Sequence, residues 1–324
     1  GFQVQTRTED PVPFAQALAD NPYAGAWSSG GALNQAKIEM AGGGSQTAGI
    51  VAGGDTPPQT ANTELYNGSS WTETANLNTA RTLPMGAGSQ TSFVAAGGYA
   101  GSGSPASETW DGSSWTEITE MNTVRWAGGS AGADTESFIA FGGNPNTTAT
   151  ETWNGSAWTE VADLNLARHA LAGSGSQTAA IGFGGNVSGP PYKSETEVWN
   201  GSSWTEVSDL NTGRTDVSGA GSSTAALAFA GTITPPKTAA TESWDGSSWT
   251  EVADLATAKS SGAGQRGTSA SNTSTLMAGG KVPSYTTQTE EWSFSGVQPT
   301  DVANYVNAIT GDFYYNSTTG QFKT

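Results

Sequence analysis

Residues 197–206 read Glu-Val-Trp-Asn-Gly-Ser-Ser-Trp-Thr-Glu, and the chain repeats this wording along its length. Residues 64–73 read ELYNGSSWTE, 108–117 ETWDGSSWTE, 151–160 ETWNGSAWTE and 242–251 ESWDGSSWTE. Two half copies flank the series. Glu290-Glu291-Trp292 carries the first half, and Gly25-Ala26-Trp27-Ser28-Ser29 carries the second. A recurrence of this kind decides the architecture before any local reading, because each unit buries its apolar face only against a neighbouring unit.

The stretch reads as a β-hairpin. Asn-Gly or Asp-Gly between aromatic, threonine-rich runs is a strong hairpin signal, because a tight turn requires positive φ. A two-residue loop (Asn200-Gly201) and a four-residue loop (Asn200 to Ser203) both put Trp199 and Trp204 on one face, and the sequence leaves the choice open. Asn67, Asn154 and Asn200 also begin Asn-Gly-Ser sequons. Turn chemistry explains them better, since sister copies carry Asp111 and Asp245.

Working outward, the second Trp of each hairpin marks the period: Trp27, Trp71, Trp115, Trp158, Trp204 and Trp249, with steps of 44, 44, 43, 46 and 45 residues. Ten residues after each marker stands a cation: Lys37, Arg81, Arg125, Arg168, Arg214 and Lys259. A Gly/Ala/Ser-rich segment follows, such as Met85-Gly86-Ala87-Gly88. Then comes a short apolar run ending in glycine, such as Ile50-Val51-Ala52-Gly53-Gly54. These are four strands per unit: A after the cation, B before the glycines, C with the first aromatic and D with the second Trp. Four-strand units of this length predict propeller blades. The last C strand, at Trp292, lacks a D strand, and the first D strand, at Trp27, lacks a C strand. Pairing the two completes a sixth blade and removes two exposed edges. The expectation is an all-β, six-bladed β-propeller over residues 25–296, closed as a 3+1 clasp by Trp27 and Trp292.

The order of Gly-Gly, a C-strand aromatic, a D-strand Trp and a cation opening the next unit resembles the kelch repeat, over about 270 residues of the chain. The chain departs from that pattern in having Trp where kelch usually has Tyr, and a tighter C–D turn. The uniform wording also resembles kelch-like proteins of bacteriophage virions, those of marine phages especially. Gly311-Asp312-Phe313-Tyr314-Tyr315-Asn316 and the residues to Lys323 are similar to segments of phage fibre and tail proteins. The resemblance implies a kelch-like propeller serving as a virion component. Among kelch propellers is a copper oxidase, galactose oxidase, whose centre needs His and Tyr ligands and a cross-linked Cys. With no Cys and a single His, His169, this chain cannot build that centre. The sialidase Asp-box hairpin has a different spacing, since Asp111 and Gly112 are adjacent here.

Composition narrows the function classes. A net charge of −17 argues against binding nucleic acid through a basic surface. Without cysteine there are no disulfides and no thiolate metal sites. No metal and no cofactor are expected. No apolar run reaches the ~18 residues of a membrane span, so no membrane insertion is expected. No signal peptide is read at the start. The glutamates at 64, 108, 151, 197, 242 and 290 recur with the cation in every unit. A catalytic pair would occur once, so structural ion pairs or hydrogen bonds between strands are the expected role, and no catalytic residue is assigned.

Strand alternation puts the A–B and C–D turns on one face and the B–C and D–A connections on the other. The B–C loops differ in every blade, and varied loops on a rigid scaffold are where binding usually resides; unrestrained drift of surface loops is the competing reading. The candidate binding residues are Tyr99, Trp126, Asn144, Asn146, His169, Tyr192, Lys193, Lys237 and Tyr285. Trp126 and His169 follow the invariant cation directly, where they are expected to ring the channel mouth. An exposed Trp126 would suit stacking on a sugar; packing beneath a B–C loop is the alternative. The tails, 1–24 and 297–324, stand outside the repeat. A short strand at Phe2 to Arg7, a helical turn from Phe14, a helix from Thr300 to Asn307 and a second hairpin around Asn316 to Thr319 are expected there. Their aromatic and apolar residues, Phe2, Val4, Phe14, Tyr305, Phe313, Tyr314, Tyr315 and Phe322, are candidates for assembly with other virion proteins or with copies of the chain. The functional expectation is a non-enzymatic virion decoration or fibre protein, outside the cell, that touches partner proteins or host-surface glycan. A secreted or cell-surface bacterial adhesin or lectin is the alternative, and a glycan-cleaving enzyme a more distant one.

Overall fold

A computed structural model describes residues 25–234, 236–267 and 271–294, and the backbone of Tyr314–Asn316 and Gln321–Lys323. Six four-stranded antiparallel sheets follow one another round an axis. In blade 4 the order is Ala172–Ser176 (A), Ala179–Phe183 (B), Thr196–Trp199 (C) and Trp204–Val207 (D). Blades 1, 2, 3 and 5 follow the same order. Blade 6 takes A to C from Ala263–Gly264, Ser274–Ala278 and Thr289–Ser293, and its outer strand from Ala26–Ser29. Trp27 lies opposite Trp292 in that ladder, so the expected clasp closes the ring.

The C–D connection is the four-residue loop. Trp199 pairs directly with Trp204, and the Asn200 N–H donates to the Ser203 carbonyl at 3.2 Å. Asn200 Oδ1 accepts from the N–H groups of Ser202 and Ser203, both at 2.9 Å. Asp111 does the same for Ser113 and Ser114, both at 2.8 Å. Either residue supplies the acceptor an Asx turn requires, which is why Asn and Asp interchange. Gly201 between them sits at φ 93°, where a Cβ is disfavoured.

The core is a ring of six wedges rather than one centre. Each apolar cluster spans two blades; Met85, Val94 and Ala96 of blade 2, for example, meet Phe138, Trp153 and Trp158 of blade 3. Gly and Ala in the inner strands permit this approach. A Cβ on Gly42 would stand 2.4 Å from the Gly264 carbonyl oxygen of the neighbouring blade. The D-strand Trp of each blade reaches into the blade before it. Trp71 Nε1 donates to Thr289 Oγ1 at 2.9 Å, Trp115 to Thr63 at 3.1 Å, and Trp27 to Thr241 at 3.0 Å. Blade 2 carries Ser107 at this position. Its hydroxyl turns to the Pro105 carbonyl, and Trp158 donates to the Thr119 carbonyl instead.

The repeated acid and cation meet inside every blade. Lys37–Glu64 (3.0 Å), Arg81–Glu108 (2.9 Å), Arg125–Glu151 (3.1 Å), Arg168–Glu197 (3.1 Å), Arg214–Glu242 and Lys259–Glu290 (3.1 Å) are all buried ion pairs. The second carboxylate oxygen holds the incoming interblade linker. Glu64 accepts from the Asn34 N–H at 2.8 Å, Glu151 from Asn122 at 2.7 Å, and Glu290 from Ala256 at 2.7 Å. Arginine adds a backbone contact, as Arg81 does to the Ala106 carbonyl at 2.7 Å. Lys37, with one nitrogen, takes the Asn62 side chain and, at 3.5 Å, the Asn62 carbonyl. Burial lowers the Arg125 guanidinium to about 10, well above neutrality, so the guanidinium stays charged.

The tail positions Phe2, Val4, Phe14, Tyr305 and Phe313 and the expected helix lie outside the described residues. The second hairpin is present as backbone, with Tyr315 opposite Phe322.

Two outcomes follow. Glu151→Gln leaves a buried arginine without its counter-charge and should cost about 3–5 kcal/mol in urea unfolding; Glu206→Gln on an exposed outer strand should change stability by less than about 0.5 kcal/mol. A chain beginning at Gly31 exposes the edge of Thr289–Ser293 and should self-associate on size exclusion, with monomer restored by a peptide spanning residues 24–31.

Candidate functional site at the axial mouth

The face bearing the B–C loops is built round a closed hydrogen-bonded ring. Glu39, Leu83, Ala127, Ala170, Asp216 and Ser261, one per blade, all adopt the left-handed conformation, with φ from 53° to 60°. Each donates its N–H to the carbonyl of the preceding member. The links run Leu83 to Glu39 (2.8 Å), Ala127 to Leu83 (3.0 Å), Ala170 to Ala127 (2.7 Å), Asp216 to Ala170 (3.0 Å), Ser261 to Asp216 (3.2 Å) and Glu39 to Ser261 (2.7 Å). A non-glycine residue held there costs on the order of 1–3 kcal/mol, which the ring bonds and packing offset.

The channel-mouth expectation is corrected by one residue. Trp126 and His169, directly after the cation, form bridges to the B–C loops at Asn144 and Asn186. The residues after them, Ala127 and Ala170, make the ring. The positive φ turns the chain inward there, and the side chain before it reaches the preceding blade.

Most of the candidate residues tie one blade to the next. Trp126 packs edge-on against Tyr99 with centroids 5.5 Å apart. It lies beneath Gly103, where a Cβ would stand 2.5 Å from its ring. It is half-buried under a B–C loop, not a free stacking platform. His169 Nδ1 contacts Asn146 Oδ1, Asn146 Nδ2 donates to the Val187 carbonyl, and burial lowers the His169 pKa. Lys237 donates to the Val282 carbonyl. Tyr285 donates to Asp55 at 2.6 Å, which holds the phenol up at about 12. Thr82 donates to Glu39 at 2.7 Å. Tyr192 and Lys193 lean on the Gly213–Arg214 linker, and Lys193 pairs with Glu195 at 3.3 Å. They belong to the flank of blade 4. The varied loops are therefore cross-tied into one surface.

Inside the ring lies an axial well of about 50 Å³, lined by the six ring residues, the residue after each, and Arg266. That volume admits several waters or one small ligand. No protein-family description matches the chain, and no curated protein matches it. The chemistry of the well therefore rests on its own residues. Asp216 is driven up to about 6, first by burial and then by the charge of Glu39. Glu39 is raised as well, mainly by burial. Among the described residues no group of His, Cys, Asp and Glu has the spacing of a metal site.

Glu39, Asp216 and Arg266 were not among the residues singled out from sequence. Two signals pointed to them. Eleven or twelve residues after each marker, only blades 1 and 5 place an acid, and Arg266 is an arginine outside the repeat register.

The raised Asp216 carboxyl sets a sign for pH dependence. Its contribution to stability is fully present below its unfolded pKa and is lost as pH rises through about 6. Asp216→Asn should therefore stabilise the fold by about 1–2 kcal/mol near neutral pH, and the advantage should vanish below about pH 4, as read from urea midpoints across that range.

Proposed function

We propose that this chain is a non-enzymatic structural or attachment protein of a virus particle, a kelch-like propeller displaying one rigid loop face. The observation that carries the non-catalytic reading is the fate of the repeated titratable groups. All six Glu–cation pairs are sealed inside the blades and spent on holding interblade linkers. Residues that differ between repeats gather on the opposite end of the blades from the uniform turns, and there they latch the loops together. A surface so braced meets a partner with little entropy left to lose, which favours stable docking. The strongly acidic charge keeps isolated copies soluble. The virion assignment rests on the likeness of the repeat wording and of residues 311–323 to phage kelch-like and fibre proteins. The tails then serve as the attachment points, to other virion proteins or to copies of the chain, and host-surface glycan is the candidate ligand of the loop face.

Electron microscopy with gold-labelled antibody against the propeller, on purified particles from a culture carrying the gene, provides the test. Label on capsid, tail or fibre is the expected result. Label on the bacterial surface or in the medium, with bare particles, overturns the reading in favour of an adhesin or lectin.

A further inference from the structure

We propose that the axial well is a binding site for a small carboxylate monoanion, gripped by the guanidinium of Arg266 at its floor. The inference begins with an irregularity in blade 6. Its inner strand stops after Ala263–Gly264, and the chain turns across the axis. The Arg266 N–H donates to the Gly42 carbonyl of blade 1 at 3.3 Å, and the Arg266 carbonyl accepts from Gly88 of blade 2 at 3.2 Å. Gly267 lies so close to blades 2 and 3 that a Cβ would stand 2.8 Å from the Gly132 oxygen and 3.0 Å from the Gly88 nitrogen. Gln265 fixes this crossing, accepting from Thr275 Oγ1 and the Leu276 N–H, both at 3.1 Å. The crossing obstructs the channel from the A–B side and leaves the well facing the loop side.

From that crossing the Arg266 side chain runs along the axis to Gly128, and among the described residues its one side-chain hydrogen bond is a long 3.4 Å contact to the Gly128 carbonyl. Its side chain is part-exposed where it lines the well, and partial burial lowers its pKa to about 10. The six cations of the repeat differ in that each has its glutamate. Among the described residues none forms an ion pair with Arg266, and Thr268, Ser269 and Ala270, which follow Gly267, bring no charge. A guanidinium that lines the well without a counter-ion is open to an anion through charge-assisted hydrogen bonds. A second feature points the same way. Among the described residues, the N–H groups of Met40, Gly128, Leu171, Val217 and Gly262 have no acceptor within the protein, and all five residues line the well.

The ligand class follows from shape and charge. The guanidinium fork matches the two oxygens of a carboxylate. The well of about 50 Å³ limits the ligand to a few heavy atoms. Glu39 and Asp216 on the lining penalise a second negative charge, so sulfate and phosphate are disfavoured. The site is independent of where the propeller is deployed.

The test uses the full chain, with thermal midpoints recorded in sodium formate and sodium acetate against sodium chloride and sodium sulfate at matched ionic strength. A saturable rise specific to formate and acetate is expected, as linkage to a single site requires. Arg266→Gln should weaken that response by about tenfold or more. Asp216→Asn should tighten it several-fold near neutral pH by removing a like charge. An equal response to sulfate, or an unchanged saturable response in folded Arg266→Gln, overturns the proposal. Should Arg266→Gln fail to fold, the Asp216→Asn variant decides, and an affinity equal to wild type overturns it.

Discussion

A propeller blade cannot bury its own faces, and that constraint governs everything else in this molecule. Every apolar cluster is shared between adjacent blades, so an open array would leave the wedge between blades 6 and 1 unfilled and the wedge between blades 5 and 6 without Trp27. Closure by the strand at Trp27 fills the last wedge. Trp27 packs edge-on against Phe229 of blade 5, 5.0 Å away, and tilts against Trp292. The short outer strands, with Thr and Glu facing water, discourage further pairing at the rim.

Within that ring the buried glutamate is the local organiser. One oxygen neutralises the cation and the other receives the linker from the preceding blade. A single residue type thus fixes both the inside of a blade and its join to the next. The geometry also explains a preference within the repeat. Four blades use arginine, whose fork reaches the carboxylate and a backbone carbonyl together. The two lysine blades flank the ring closure, and one of them recruits Asn62 to complete its contacts.

The candidate site was less legible than the fold, for a physical reason. Trp126 stood out as the one Trp outside the repeat register and His169 as the one His, and neither fact carries information about direction. The left-handed residue that follows each of them turns the chain inward, so the axis receives Ala127 and Ala170 while the aromatic and the imidazole brace neighbouring loops. Tyr285, Lys237 and Asn146 likewise proved to be latches between blades. Their chemistry is satisfied by the protein itself, through contacts no local pattern announces.

The amino-acid sequence by itself determined the blade number, the strand order, the 3+1 closure and a structural role for the repeated glutamate and cation. These follow from a period, because a repeated local pattern implies a repeated local structure and the half copies at the two ends can only complete each other. Tertiary structure alone decided the four-residue turn, the ring of left-handed residues and the well on the axis. Glu39, Asp216 and Arg266 come from three different blades, and only the closed circle brings their side chains to one place.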